Sequence, residues 1–233
     1  MNNWIALIIS FGSALGWLRL MDFFAHRGWI ESRLSRKIIH IGTGPLFVLT
    51  WLLFDNAPAA RWMAAAVPFA ITVQFALIGL GIIKDEASVK SMSRSGNPRE
   101  LLRGPLFYGI AFVALTVLFW KDSPIGIVAL MLLCGGDGVA DLAGRKIKSA
   151  KLPWSPEKSV AGSLAVLIGG WALAILLVAI YISAGVFGGS ISDYLLPISI
   201  ISLVGMLVES LPYHDVDNLT VTIAAVLMGF WLF

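Results

Sequence analysis

Eight stretches of the chain are long and apolar, and polar connections of uneven length separate them. Their bounds are about 3–25, 37–54, 60–83, 104–120, 123–144, 159–186, 191–211 and 216–233. A helix needs about 20 mostly apolar residues to cross a bilayer. The pattern therefore predicts an all-α, polytopic transmembrane helix bundle. The second and last stretches are short, so the count is seven or eight spans. The first begins at residue 4 with no basic segment before it and no small-residue cleavage site. It reads as a retained span rather than a signal peptide. No internal repeat, low-complexity tract or second domain interrupts the pattern, so 1–233 reads as one integral membrane domain.

Composition agrees with that reading. Hydrophobic residues make up 58% of the 233, charged residues 13%, and the mean hydropathy is +0.85. A soluble domain of this size could not hide so much apolar surface, which excludes a soluble enzyme, a coiled coil and a disordered chain. The single Cys134 excludes an internal disulfide and a cysteine-based zinc site. Trp4, Trp29, Trp51, Trp62, Trp120, Trp154 and Trp231 lie near predicted span ends, where amphipathic rings favour the interface.

Charge then orients the spans. Fourteen of the 17 Lys and Arg fall in the first, third and fifth connections. Only Arg61 and Lys121 lie in connections on the other side, and Arg19 lies within the first span. The positive-inside rule places the basic connections in the cytoplasm and, with eight spans, both termini outside. The two long polar loops, 84–103 and 145–158, are both on the cytoplasmic side, so any chemistry is expected at that face.

The most informative segment runs from Cys134 to Arg145. Asp137 and Asp141 are four residues apart, hence on one helix face. Two like charges there repel, and each costs about 2.5–3.5 kcal/mol at mid-membrane. A divalent cation would offset both, because hard cations prefer carboxylate oxygens. Gly135, Gly136, Gly138 and Gly144 strip side chains from this helix. They either leave room for a bulky polyanion or serve close helix packing.

Three further groups are candidates. In the run Lys151–Ser163, Pro156 suits the first turn of a helix with Ser155 as its cap. Unpaired N–H groups at that helix start, with Lys158 and Ser159, would attract phosphate. The last connection carries Glu209, His214, Asp215, Asp217 and Asn218, an acidic group on an otherwise basic face. Carboxylates there suit a metal or a nucleotide ribose. Lys37 and His40 share a face at the start of the second span, and His40 could be a general base, a phosphate ligand or an ordinary interfacial histidine. Arg94, Arg99 and Arg103 could clamp phosphate or simply meet an anionic leaflet.

The chain has no G-x-x-x-x-G-K-[ST] loop and no G-x-G-x-x-G after a strand. Its basic residues are spread over membrane loops, which gives nucleic-acid binding no support.

Arg36-Lys37-x-x-His40, Met92-Ser93-Arg94-Ser95-Gly96, Arg99-Glu100-Leu101-Leu102-x-Gly104-Pro105, Gly136-Asp137-Gly138-x-Ala140-Asp141-x-x-Gly144-Arg145 and Lys158-Ser159-x-x-Gly162-Ser163 follow one another along the chain. Together they resemble the phytol kinase family, with its plant relative farnesol kinase. The wider group includes dolichol kinase and, more distantly, CDP-diacylglycerol synthase. The likeness runs from about residue 33 to the C-terminus.

The resemblance implies transfer of the γ-phosphate of CTP to a long isoprenoid alcohol, phytol above all, at the cytoplasmic membrane face. The expected partners are the bilayer, the alcohol and a nucleoside triphosphate. On that basis Asp137 and Asp141 hold Mg²⁺, with Glu209 or Asp217 completing the site. Arg145, Lys158, Ser159 and Gly162 bind the nucleotide, with Arg94, Arg99, Arg103, Lys37 and Asn218 as further contacts. A carboxylate or His40 takes the alcohol proton. Two rivals share these residues. A cytidylyltransferase would attack the α-phosphate and release pyrophosphate. A transporter would use the carboxylate pair for ion coupling, but the charges cluster at one face.

Overall fold

The computed structural model describes the backbone of every residue except Arg94, His214 and Asp215. The side chains of Asp22, His26, Ser32, Arg33, Ser91, Asp137, Asp141 and Arg145 also lie outside the described residues. Among the described residues the chain is all-α apart from one small hairpin. It forms two compact units, residues 1–117 and 118–233.

The first unit contains α1 (Asn3–His26), α2 (Ser32–Trp51), α3 (Ala60–Gly79), the short α4 (Glu86–Met92), a 3₁₀ turn (Pro98–Leu102) and most of α5 (Gly104–Phe119). Helix α1 packs along α2 and touches α3. The seam is close at Gly42, where a Cβ would overlap the Trp17 ring. It is also hydrogen-bonded, with the Ser35 hydroxyl donating to Met21 O at 3.2 Å and Trp17 Nε1 to Ile39 O at 3.4 Å. In the hydrocarbon layer apolar burial does not drive helices together, so close contact and such bonds supply the association.

The second unit contains α6 (Pro124–Met131), a wide π-type turn (Leu132–Gly136), α7 (Asp137–Lys146), the strands β1 (Lys151–Leu152) and β2 (Ser155–Ser159), α8 (Val160–Ser183), α9 (Ile191–Glu209) and α10 (Asp217–Leu232). Its hub is the continuous rod from Pro124 to Gly144, whose membrane-length apolar stretch has 81% of its residues buried, against 33% for that of α8 and 22% for that of α9. Every residue from Ile125 to Gly136 is buried. The outer helices turn large apolar side chains outward instead, among them Ile168, Leu196, Leu207 and Phe230. That is the pattern of a bundle whose solvent is lipid.

Glycines let the rod and α8 approach. A Cβ on Gly135 would stand 2.8 Å from Gly169 O, and one on Gly169 would stand 2.7 Å from Gly135 O. A Cβ on Gly136 would meet Val166, and one on Gly144 would lie 3.7 Å from the Cα of Gly162. Gly135, Gly136 and Gly144 therefore do not open room for a polyanion. Helix α8 occupies that side, and packing is their role.

Helices stand at all eight expected positions. Among the described residues six segments are long and apolar enough to cross a membrane: Asn3–Ala25, Ala60–Gly79, Pro98–Phe119, Pro124–Gly144, Val160–Ser183 and Ile191–Glu209. The second and last positions fall short for different reasons. Arg33, Arg36, Lys37 and His40 crowd the first half of α2, and α10 has 16 residues, about 24 Å at helical rise.

Two expectations are corrected. Ser155 and Pro156 do not begin a helix. They lie in β2, which pairs antiparallel with β1, and the helix starts at Val160 with Ser159 as its cap. Trp51 and Trp120 are not interfacial anchors, being 0% and 3% exposed. Within the loop 84–103, Asp85 caps α4 and Asn97 caps the 3₁₀ turn.

Candidate functional site

The candidate residues divide between the two units. In the second unit a small cleft is lined by Leu132, Leu133, Val166, Glu209, Asp217, Asn218 and Val221. Its walls are carbon, and its polar groups are Glu209, Asp217 and Asn218, all expected from the acidic last connection. Glu209 ends α9, while Asp217 and Asn218 open α10. The chain reversal between these helices is what brings the three together. The Asn218 N–H donates to Asp217 Oδ1 at 3.0 Å.

Lys158, on β2, pairs with the Glu209 of this cleft. Its Nζ lies 3.0 Å from Glu209 Oε1 and also donates to the Glu209 carbonyl. The side chains are 18% and 13% exposed, so the pair is largely shielded from screening by water. Two candidates 51 residues apart are thus partners. Beside them Trp154 Nε1 donates to Ser210 O at 3.2 Å and to Ser210 Oγ at 3.3 Å.

Ser159 and Gly162 are used by each other, the Gly162 N–H donating to Ser159 Oγ at 3.2 Å. This is the N-cap of α8. Ser163 follows on the same buried stripe as Val166 and Gly170. Its hydroxyl is buried and finds no hydrogen-bond partner among the described residues. A buried unpaired hydroxyl is costly unless a ligand or water meets it.

Asp137 and Asp141 both belong to α7. Its helical backbone keeps the four-residue spacing on one face, and the helix begins one turn after Leu133 of the cleft. Their side chains, and that of Arg145, lie outside the described residues. So do Arg94, His214 and Asp215.

The donor chemistry suits a hard divalent cation, since carboxylate and amide oxygens are its preferred ligands. Among the described residues no three His, Cys, Asp or Glu groups stand close enough to hold one. Glu209, Asp217 and Asn218 could therefore supply only part of a shell, with Asp137 and Asp141 the candidates for the remainder.

In the first unit the His40 ring packs on Tyr108, centroids 4.4 Å apart, and the Tyr108 hydroxyl donates to His40 O at 3.0 Å. Tyr108 carries no motif that would have singled it out. Arg36 Nη1 donates to Ser93 O at 3.0 Å, fastening α2 to the loop after α4. The Met-Ser-Arg-Ser-Gly stretch closes on itself, with Gly96 N–H donating to Ser93 Oγ at 3.0 Å and Ser95 N–H to Glu100 Oε1 at 3.2 Å. Leu101 is fully buried, and a Cβ on Gly79 would clash with Leu102 at 2.6 Å. These residues build the loop, and they leave Arg99 and Arg103 exposed. Lys37 is half-buried on the same face of α2 as His40. Earlier in the loop, Ser88 donates its hydroxyl and its N–H to Asp85, and these bonds hold the Asp85 carboxyl below its ordinary value.

No protein-family model matches the chain, and no solved structure matches it. Curated relatives do. A protein of Zea mays described as a probable phytol kinase, chloroplastic, is 40% identical over 231 residues, 98% of this chain and 76% of its own length. Phytol kinase 1, chloroplastic, of Arabidopsis thaliana is 39% identical over 230 residues, again 98% of this chain and 76% of its own length. Farnesol kinase, chloroplastic, of the same plant is 40% identical over 212 residues, 89% of this chain and 68% of its own length. Likeness of this degree runs over nearly the whole chain, and the chain belongs to the phytol kinase family.

Proposed function

We propose that the protein is a membrane-embedded kinase that transfers the γ-phosphoryl group of CTP to the hydroxyl of a long isoprenoid alcohol, with phytol as the preferred acceptor. The observation that carries this reading is the 39% identity, over 98% of the chain, to a relative named phytol kinase 1. The cleft supports it, because it gathers polar groups at the end of a bundle whose outer surface is apolar. An isoprenoid alcohol dissolves in the bilayer while a nucleotide stays in water, so the reaction needs a polar site at the interface.

Phosphoryl transfer is mostly positioning and charge neutralisation. Asp137, Asp141 and Asp217 would hold Mg²⁺, with Asn218 beside them. The ion would neutralise charge on the β- and γ-phosphates. Lys158, with Arg145, would bind phosphate oxygens, and in doing so Lys158 would give up part of its bond to Glu209. The Glu209 carboxylate is one group proposed to accept the alcohol proton. His40 is the other group proposed for that step. The alcohol oxygen forms a bond to the γ-phosphorus as the bond to the β-phosphate oxygen breaks, and CDP leaves. Leu132, Leu133, Val166 and Val221 would keep bulk water from competing with the alcohol. The basic loops, and with them the site, are proposed to face the cytoplasm.

The test is purified protein in detergent with γ-labelled CTP, Mg²⁺ and a panel of alcohols. Labelled prenyl phosphate and CDP are expected in equal amounts. Release of pyrophosphate, or turnover without an alcohol, would overturn the reading.

A further inference from the structure

The β1–β2 hairpin is too small to be stable alone, since even a complete two-stranded hairpin is marginal in water. Contacts outside it must hold it. Two of these reach consecutive residues at the end of α9: Lys158 to Glu209, and Trp154 to Ser210. We propose that Trp154 is a positioning residue for the cleft, its indole N–H holding the hairpin against α9 while Lys158 exchanges Glu209 for a phosphate. The nature of the exchanged ligand rests on the functional reading above.

The two attachments differ in chemistry. The Lys158–Glu209 bond is ionic, so an arriving phosphate competes for the lysine and a cation competes for the carboxylate. The Trp154 bond is neutral, and neither ion competes with it. Ser210 is built to receive it. It caps the C-terminus of α9, where backbone carbonyls lack helical partners, and its side chain is turned by its own bond to Leu207 O at 2.7 Å. Ser210 is only 4% exposed, whereas the Trp154 ring is 53% exposed. A tryptophan serving only as an interfacial anchor needs no particular acceptor. This one has two acceptors on a single buried residue, adjacent to Glu209.

The experiment compares Trp154→Phe, which keeps an aromatic ring without the N–H, with Trp154→His, which restores a ring N–H. Both are made in the full chain in detergent. Trp154→Phe is expected to raise KM for MgCTP about five-fold, the equivalent of one neutral hydrogen bond. kcat and KM for the alcohol should stay at wild-type values, and Trp154→His should recover part of the loss. Amide exchange over residues 207–211 should quicken in the Phe variant, in the absence of nucleotide. A decrease in kcat with KM for MgCTP unmoved is what a loss of folded protein would give, and it would overturn the proposal. So would unchanged exchange over residues 207–211. A wild-type protein that transfers no phosphate from any nucleotide would overturn the functional reading instead, and the exchange measurement would then decide the hairpin's attachment by itself.

Discussion

Lys158 Nζ stands 3.0 Å from Glu209 Oε1, joining a strand of the hairpin to the last residue of α9. A pair of this kind holds each partner's charge in a partly desolvated place, so removing one side strands the other.

Lys158→Ala should lower phosphoryl transfer by about two to three orders of magnitude, because removing one donor to a developing negative charge costs about 2.7–4 kcal/mol. Lys148→Ala removes an exposed lysine from the same connection and should change the rate by less than about two-fold, as solvated charges usually do. Initial rates of prenyl phosphate formation make the comparison. Equal, small effects would mean that this connection only meets the membrane surface.

Asp137→Asn and Asp141→Asn keep side-chain size while removing charge from α7. Each is expected to abolish turnover with the protein still folded by circular dichroism, and added Mg²⁺ should restore little. Near-normal turnover in either variant would remove that residue from the cation site.

Gly135→Ala tests the rod's packing. Its Cβ would stand 2.8 Å from Gly169 O, a backbone atom that cannot swing aside. Overpacking of this kind costs about 1–3 kcal/mol, a fall in Tm of about 2–12 °C for a chain of this size. Gly16→Ala in α1 meets nothing within 4 Å and should leave Tm unchanged or slightly raised, because Ala favours a helix over Gly. Thermal scans in one detergent compare the two.

Asp85 gives a pH signature outside the spans. Its carboxyl is held below the ordinary 3.8 by the Ser88 hydroxyl and then the Ser88 N–H. A depressed carboxyl pKa adds stability that is fully present above the unfolded value and is lost as pH falls through the folded one. Protection of the Ser88 amide against exchange should thus be level above about pH 5 and decline below about pH 3.8. Asp85→Asn keeps a capping oxygen and should flatten the profile. Asp85→Ala should weaken the start of α4 by about 1 kcal/mol at neutral pH.

The helices were legible because about 20 apolar residues in a row leave the backbone no other way to satisfy its hydrogen bonds in lipid. The hairpin was not. Lys151–Ser159 is a polar run with two prolines and no alternation, and Pro156 after Ser155 imitates a helix start. The true cap, Ser159, is the residue whose hydroxyl meets the Gly162 N–H. The acidic group of the last connection was legible as candidate chemistry, since carboxylates are costly beside a membrane. Its pairing with Lys158 was not, because nothing local links positions 51 residues apart. The small residues around Asp137 permitted two readings, and only the position of α8 decided between them for Gly135, Gly136 and Gly144. Trp51 and Trp120 show the limit of the interfacial rule, since a span end can also be interior.

The wide turn at Leu132–Gly136 makes the rod two helices in different phase. One additional residue per turn offsets everything after it by about 100° of rotation, at 3.6 residues per turn. Leu132 at the start of the turn meets Gly170, and Gly144 after it meets Gly162. The offset belongs to the wide turn itself: were the same residues wound as a regular helix, the position facing Gly162 would pass from glycine to a bulkier neighbour, and the face bearing residues 137 and 141 would turn with it. Deleting one residue from the turn would restore a regular helix and leave α7 in its present phase, whereas a deletion inside α7 has no wide turn to absorb it. Related chains should therefore tolerate a single gap at Leu132–Gly136 better than one between residue 137 and Gly144.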